Sequence, residues 1–440
     1  MAGGTWKIQN KVRPGAYLNF IPVIEPEVIL ADRGIATMPL VMDWGPENTI
    51  IEVLSSDLVD GKSMAKIGYT AADAESLLFR LCLNHCYKLL AYRINSGGDK
   101  ATVTLGNLTA TAKYSGLRGN NISIAVIEND TDFDVVTYVD GVEQDRQTVD
   151  AIAGLTANDW VVFSGTGALA AVVATALVDG TNGTIGANAY PTYFEAMKTQ
   201  SWQVMGIPSS DAALPPLLKD YIVDLRDNKG KKVQGVAYNY LADHEGMISS
   251  KQGYKTATET ISAVNFVAWV TGASALAKAN ESNTYKLIDG ATEIMGPMTD
   301  DEIEAALQEG WYVVAKRTDG KIIIEQDINT LITYTAGVKS KAFCKNRVMR
   351  TLDDIGTKIT NIFETGYSGK VNNTAAGRDL FKSDIIKYCQ ALQAESAIQS
   401  FDSQNDITIS QGNDIDSVLV GLNIQPVDSM EKLYMTVEVG

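Results

Sequence analysis

Four stretches of the chain carry residue types and spacings that could do chemistry. Gly61-Lys62-Ser63 ends as a phosphate loop ends, where backbone N–H groups and a lysine hold phosphate at a helix start. The spacing fails: a glycine belongs five residues before the last one, and Ser56 stands there, with Asp57 and Asp60 beside the would-be phosphates. Gly68 would interrupt the helix that should follow, so the stretch reads as a surface turn. Gly165-Thr166-Gly167-Ala168-Leu169-Ala170 has the glycine spacing of a dinucleotide fingerprint, after a strand at 160–163 and before an expected helix 168–178. The second strand of that unit is missing, and no acid occupies 180–190, where a ribose ligand belongs. His85 lies between Cys82 and Cys86, but three ligands do not close a zinc site, and the thiols sit on a leucine-rich face. Asp243-His244-Glu245 could place a general base, yet no nucleophile or second histidine accompanies it. With 2 histidines in 440 residues, material for catalysis near neutral pH is thin. No catalytic, metal or cofactor constellation emerges.

The elements that would position these residues follow from periodicity. Residues 21–69 give extended pieces at 27–30 and 50–54, with a turn at Asp43-Trp44-Gly45-Pro46. A helix is expected from Thr70 to about Arg93, its stripe made of Leu77, Leu78, Leu81, Cys82, Cys86, Leu89 and Leu90. Short strands at 102–105, 122–127, 134–139 and 160–163, set between Gly, Asn and Asp turns, mark 97–188 as a β-rich domain inserted into another. From 190 to 310 strands and helices alternate: helix 191–201, strand 203–207, helix 213–227, strand 233–238, helix 259–279 and an extended piece at 285–288. A helix capped by Thr299 with Glu302 and stopped by Gly310 comes last. Such alternation predicts a largely parallel sheet. A hairpin at 311–317 and 321–327 follows, then helices 340–364 and 376–398, strands 407–410 and 418–425, and a last strand at 433–439. The reading is thus multidomain α/β. An arm (1–20) precedes a discontinuous α/β core (21–96 and 189–330) interrupted by the insertion (97–188). An α+β C-terminal domain (331–425) and a terminal arm (426–440) close the chain.

Composition sets outer limits. The length allows roughly three domains. Net charge −16 argues against nucleic acid as a partner, which requires basic stripes. The longest apolar run, 168–178, is short of the roughly 20 residues that span a bilayer, so no membrane insertion is expected. A polar, Gly-rich start and 4 cysteines point to a reducing cytoplasm.

The two ends are complementary. Residues 1–20 carry Lys7, Lys11 and Arg13 and no acid, with a short alternating piece around Trp6, Ile8 and Val12. Residues 401–440 carry Asp402, Asp406, Asp414, Asp416, Asp428, Glu431 and Glu438 against Lys432 alone, a net of −6. In 433–439, Leu433, Met435, Val437 and Val439 alternate with Tyr434, Thr436 and Glu438. A strand at a chain end needs a partner; from periodicity and charge alone that partner lies either in the same molecule or in a neighbour.

Several segments, taken in order, resemble one family. They are the opening Met1-Ala2-Gly3-Gly4-Thr5-Trp6 with Lys11-Val12-Arg13-Pro14-Gly15-Ala16-Tyr17, then Ala112-Lys113-Tyr114-Ser115-Gly116-Leu117-Arg118-Gly119-Asn120 with Phe133-Asp134-Val135-Val136-Thr137-Tyr138, and the ending Gly421-Leu422-Asn423-Ile424-Gln425-Pro426-Val427-Asp428 with Met430-Glu431-Lys432-Leu433-Tyr434. The chain resembles the contractile tail sheath proteins of bacteriophages and phage-tail-like bacteriocins, nearest the shorter sheaths of phages and prophage elements from Gram-positive bacteria. The resemblance implies a core similar to the subtilisin fold without a working triad. Gly61-Lys62-Ser63-Met64-Ala65 is similar to the nucleophile segment of those proteases, but Ser63 precedes both His85 and His244, an order that excludes their triad. It further implies a structural subunit, not an enzyme, that assembles with itself as stacked hexameric rings around an inner tube, with baseplate and tail terminator as further partners. Such a subunit is made and assembled in the bacterial cytoplasm and ends in a virion tail or bacteriocin particle. Terminal arms of such proteins add strands to neighbouring subunits, which here nominates Lys7, Ile8, Lys11, Val12 and Arg13, the edge Leu433, Met435 and Val437, and the charge partners Asp414, Asp416, Glu431 and Glu438. The competing readings are an α/β enzyme binding a nucleotide at the Gly165 loop and a cell-surface structural protein.

Overall fold

The computed structural model describes residues 33–439, together with the backbone of Ala2–Gly4 and Gly15–Tyr17, which pair in parallel. The centre is a six-stranded sheet in the order Met247–Ser250, Gln234–Tyr238, Val204–Ile207, Ile35–Leu40, Lys88–Arg93, Ile50–Leu54, parallel except for the last pair. Helix Ala263–Leu276 crosses one face. Ten of its residues are buried, so it is apolar nearly all round, as a helix inside a core must be. Gly272 lets it approach helix Leu77–Leu83, since a Cβ there would meet the Cys82 carbonyl oxygen at 2.2 Å.

The helix expected over 70–93 ends at Leu83, and Lys88–Arg93 is instead a central strand. Leu89, Leu90, Ala91 and Tyr92 are all buried; a strand covered on both faces reads as a continuous apolar run, which a helical stripe mimics. The expected helix 168–178 is likewise a strand, Val172–Ala176, paired with Ile122–Asn129, as its β-branched Val172, Val173 and Thr175 favour. Strands that escaped the sequence reading include Ile35–Leu40 and Met247–Ser250 of the central sheet, and Leu108–Ala112 and Val142–Val149 of the insertion. The piece at 285–288 makes only an isolated bridge, Leu287 to Ile323. The piece expected at 27–30 lies outside the described residues.

Between Asn95–Ser96 and Thr184–Ile185, which pair as a two-stranded neck, the chain forms a four-stranded and a three-stranded sheet. Their core holds Ile122, Val126, Val135 and Trp160, and receives Trp44 from the central body, with ring centroids 5.1 Å from Trp160 and 5.2 Å from Tyr114. Two buried arginines lock the junction. Arg93 donates to the carbonyls of Gly45 and Ser115 at 2.7 and 2.9 Å. Arg118 donates to the Gly68 carbonyl and the Asp140 carboxylate, both at 2.7 Å, over the Tyr69 ring.

Past the hairpin Val314–Lys316 with Ile322–Ile324, helices Asn346–Ile362 and Ala375–Ala394 pack beneath the hairpin Ile407–Gln411 with Val418–Leu422. Buried ion pairs tie the first of these helices to the centre. Arg226 binds Asp353 in two bonds of 2.8 Å, and Arg350 donates to Asp327 at 2.6 Å. Among the described residues no helix is long and apolar enough to cross a membrane.

Candidate functional site

The stretches first singled out for chemistry serve structure. Gly165 adopts φ +125° against the Asn107 carbonyl oxygen, and a strand follows where a dinucleotide site needs a helix N-terminus. The enzyme reading built on this loop therefore fails. The Asp243 carboxylate accepts the N–H groups of Ile332 and Thr333 at 2.8 and 2.9 Å. His244 Nδ1 accepts from the Gly246 N–H at 2.9 Å, and Glu245 pairs with Lys339 at 2.7 Å. Burial lowers the His244 pKa, so the imidazole is a neutral strut in a loop knot. Cys82 and Cys86 are free thiols with sulfurs 3.6 Å apart in the core, and His85 lies against the Trp269 ring at 4.8 Å.

The terminal segment behaves differently. Residues 433–439, expected to be a strand, pair with no strand among the described residues. Leu433, Met435, Val437 and Val439 are 85, 73, 68 and 92 % exposed, a row of apolar side chains offered to water at a cost of about 25 cal/mol per Å². The segment is nevertheless anchored at its root. Gln425–Pro426 pair with Ile398–Gln399, and the Val427 N–H reaches the Ala397 carbonyl at 3.0 Å. Glu431 then turns inward. Its carboxylate pairs with Lys345, accepts from Thr284 Oγ1 at 2.8 Å and from Gln326 Nε2 at 2.9 Å, and meets Ser429 Oγ at 3.3 Å. Expected as a charge partner for another chain's arm, Glu431 is thus spent within its own chain, because three donors and a cation converge on a nearly buried carboxylate.

The remaining expected residues are scattered. Asp414 and Asp416 lie exposed in the tip of the hairpin Ile407–Gln411/Val418–Leu422, where Ser417 Oγ binds the Asp414 backbone at 2.8 and 3.0 Å. Glu438 is exposed on the tail. Lys7, Ile8, Lys11, Val12 and Arg13 lie outside the described residues. The hairpin has two strands, so among the described residues each keeps one edge without a strand partner, and Leu419 and Ile415 are 63 and 84 % exposed beside it. Free edges of this kind are templates for strand addition.

Comparison with known proteins decides what such a surface belongs to. The phage tail sheath C-terminal domain model matches residues 338–440, the central domain model 183–330, the β-sandwich domain model 96–182, and the domain III N-terminal region of tail sheath protein Gp18 33–94. The chain is 33% identical to the phage-like element PBSX protein XkdK of Bacillus subtilis, with both chains covered in full. The chain belongs to the phage tail sheath family. A sheath tail protein of Desulfitobacterium hafniense is 42% identical, with a TM-score of 0.85 over 96% of this chain and 99% of that one. The helical sheath of the anti-feeding prophage in its contracted state shares the fold at 8% identity, with a TM-score of 0.57 over 97% of this chain and 99% of that one. The protein is therefore a structural subunit of a contractile tail sheath, multidomain and of mixed helices and strands, and not an enzyme.

Lys345, Thr284 and Gln326 were missed as anchors for the tail. They stand 86, 147 and 105 residues from Glu431, and no local pattern joins them.

Proposed function

We propose that this sheath subunit polymerises as stacked hexameric rings around an inner tail tube. In this reading the exposed terminal segment adds to a neighbouring subunit, and the observation that carries it is the row Leu433, Met435, Val437 and Val439, anchored by Glu431 yet without a strand partner among the described residues. Ile8 and Val12 of one copy pair with the Leu433–Met435–Val437 edge of another, and Lys7, Lys11 and Arg13 meet acids such as Glu438, Asp414 and Asp416. The arms then act as hinges that keep subunits joined while rigid bodies repack. The buried pairs Arg226–Asp353 and Arg350–Asp327 support the rigid-body half of this reading.

The driving energy is the difference between two packings, with no nucleotide hydrolysed. A signal from the baseplate releases the extended lattice, and the tube is driven through a target envelope. Assembly takes place in the bacterial cytoplasm, and a tail terminator caps the finished sheath. The five parallel strands at the centre support kinship with the subtilisin fold, without its triad. The working division is the arm 1–20, core 21–96 and 189–330, outward-facing insertion 97–188, C-terminal domain 331–425 and terminal arm 426–440.

Negative-stain microscopy of the protein beside a version lacking residues 1–20 tests the reading. Tubes from the full chain, with only monomers or single rings from the truncation, are expected. Tubes of equal length from both would remove the N-terminal arm from the linkage.

A further inference from the structure

Cys82 and Cys86 have no part in the tail linkage, and the fold presents them as a pair. Cys82 lies in the last turn of helix Leu77–Leu83 and Cys86 two residues before strand Lys88–Arg93, both buried. The turn between them is held on both sides. The N–H groups of Asn84 and His85 reach back to the carbonyls of Arg80 and Cys82, each at 3.0 Å. The His85 ring rests on Trp269, and the Tyr87 N–H donates to the Gly34 carbonyl at 3.1 Å. Behind Cys82 the core helix comes so close at Gly272 that no side chain fits between them. So held, the two sulfurs lie 3.6 Å apart, and Cys86 Sγ is also 3.5 Å from the Lys88 carbonyl oxygen. They need to close by about 1.5 Å to reach the bond length of a disulfide, a movement that side-chain rotation supplies.

The two thiols differ in access. Cys86 lines an open pocket of about 510 Å³ with Leu58, Val59, Leu83, Tyr87 and Leu276, whereas Cys82 faces the core. Burial, then the hydrogen bond with Cys86, holds the Cys82 thiol above its ordinary range, so Cys82 keeps its proton until its neighbour has reacted. We propose that Cys82 and Cys86 are a disulfide-forming site, oxidised by a low-molecular-weight disulfide that enters through this pocket. The Cys86 thiolate attacks one sulfur of that oxidant and expels the other half as a thiolate. The Cys82 sulfur, giving up its proton, then attacks Cys86 Sγ and expels the second half. Two protein thiols are oxidised to one disulfide, the oxidant is reduced to two thiols, and both protons end on those products. The new bond pins helix Leu77–Leu83 to the central strand Lys88–Arg93. Its timing rests on the assembly reading above, although its chemistry does not: the pair stays reduced in the cytoplasm and is oxidised once the particle leaves the cell.

The test equilibrates the reduced full chain with graded amounts of oxidised glutathione at fixed reduced glutathione, alkylates it in denaturant, and digests it with trypsin. Residues 81–88 form one tryptic peptide that holds both cysteines. This peptide should lose the mass of two hydrogen atoms and escape alkylation, while Cys389 stays alkylated. Because the fold has already brought the sulfurs together, the full chain should need roughly tenfold less oxidised glutathione than the isolated peptide 81–88, the equivalent of about 30 mV. In Cys82→Ser a mixed disulfide with glutathione should accumulate at Cys86, and in Cys86→Ser the Cys82 thiol should stay free. Alkylation of both cysteines at every ratio, a mixed disulfide that stops at Cys86 in the unaltered chain, glutathione on Cys82 in Cys86→Ser, or oxidation no easier than in the peptide would overturn the proposal. Microscopy of the same samples separates it from the sheath reading. Tubes whose two thiols never join reject the disulfide and leave the assembly standing, whereas the disulfide without tubes leaves the site standing and counts against unaided assembly.

Discussion

Lys345 and Glu431 form an ion pair that fastens the tail to the body, 18 and 9 % exposed as side chains. The pair divides the chain's end into an anchored root and a free row of apolar residues. Glu431→Gln leaves the Lys345 ammonium without its counter-charge in a largely dry place, which costs about 1–3 kcal/mol. The opening is local, so amides at 427–432 should exchange with deuterium some ten to a hundred times faster. The cooperative melting of the body should not move. Unchanged exchange at 427–432 would show that the root is held by the strand pairing alone.

The second anchor is Asp327, which Arg350 meets at 2.6 Å, Asn346 at 2.9 Å and the Asn283 N–H at 2.9 Å. Burial pushes this carboxyl up, but Arg350 and these hydrogen bonds outweigh it and hold the pKa below the usual range. Asp327→Ala strands the buried guanidinium and should destabilise by about 3–5 kcal/mol in denaturant titration. Asp319→Ala, which breaks the exposed pair with Arg317, serves as the control and should leave the midpoint in place.

His85 predicts a pH dependence. Burial first, then the charge of Lys286, lowers its pKa from 6.5 to about 4. Between those values the unfolded chain binds a proton that the folded chain refuses, so stability declines as pH falls from 6.5 towards 4 and levels off below. The loss is at most on the order of 3 kcal/mol, at 1.36 kcal/mol per unit and reduced by the partial exposure of the ring. His85→Gln should reduce the slope across that window, what remains including the contribution of His244, whose pKa burial also lowers; an unchanged slope would assign it to other groups.

Two glycines should respond in opposite directions. Gly116 holds φ +130° at the neck, and a Cβ there would meet the Asp43 carbonyl oxygen at 1.9 Å. Gly116→Ala should cost at least about 1–3 kcal/mol in a thermal melt. Gly356 lies within helix Asn346–Ile362 with nothing within 4 Å of an added Cβ, and Gly356→Ala should stabilise by up to about 1 kcal/mol.

Much of this architecture is legible in the sequence wherever local chemistry decides. Thr299 with Glu302 reads as a capping box and forms one, with Gly310 in the left-handed cap. The hairpin turned at Asp319-Gly320, both C-terminal helices and the strands around Gly412 also follow from short-range signals. The reading breaks at Leu89–Leu90, where a covered strand and a buried helix show the same apolar run, and at Val172–Val173, where Val173 is 83 % exposed and β-branched propensity decides instead. It breaks again where the partner is distant in sequence. The acids of the tail announce charge complementarity, but only the fold shows that Glu431 is consumed by Lys345, Thr284 and Gln326.

The central claim is that the free tail links one subunit to the next, and a chain ending at Lys432 tests it most directly. This version keeps the Glu431 anchor and the hairpin, and loses only the exposed row from Leu433 onward. The full chain should form tubes under negative stain, while the shortened chain, with unchanged circular dichroism and melting, should stop at monomers or single rings. Tubes of normal length and spacing from the shortened chain would contradict the account.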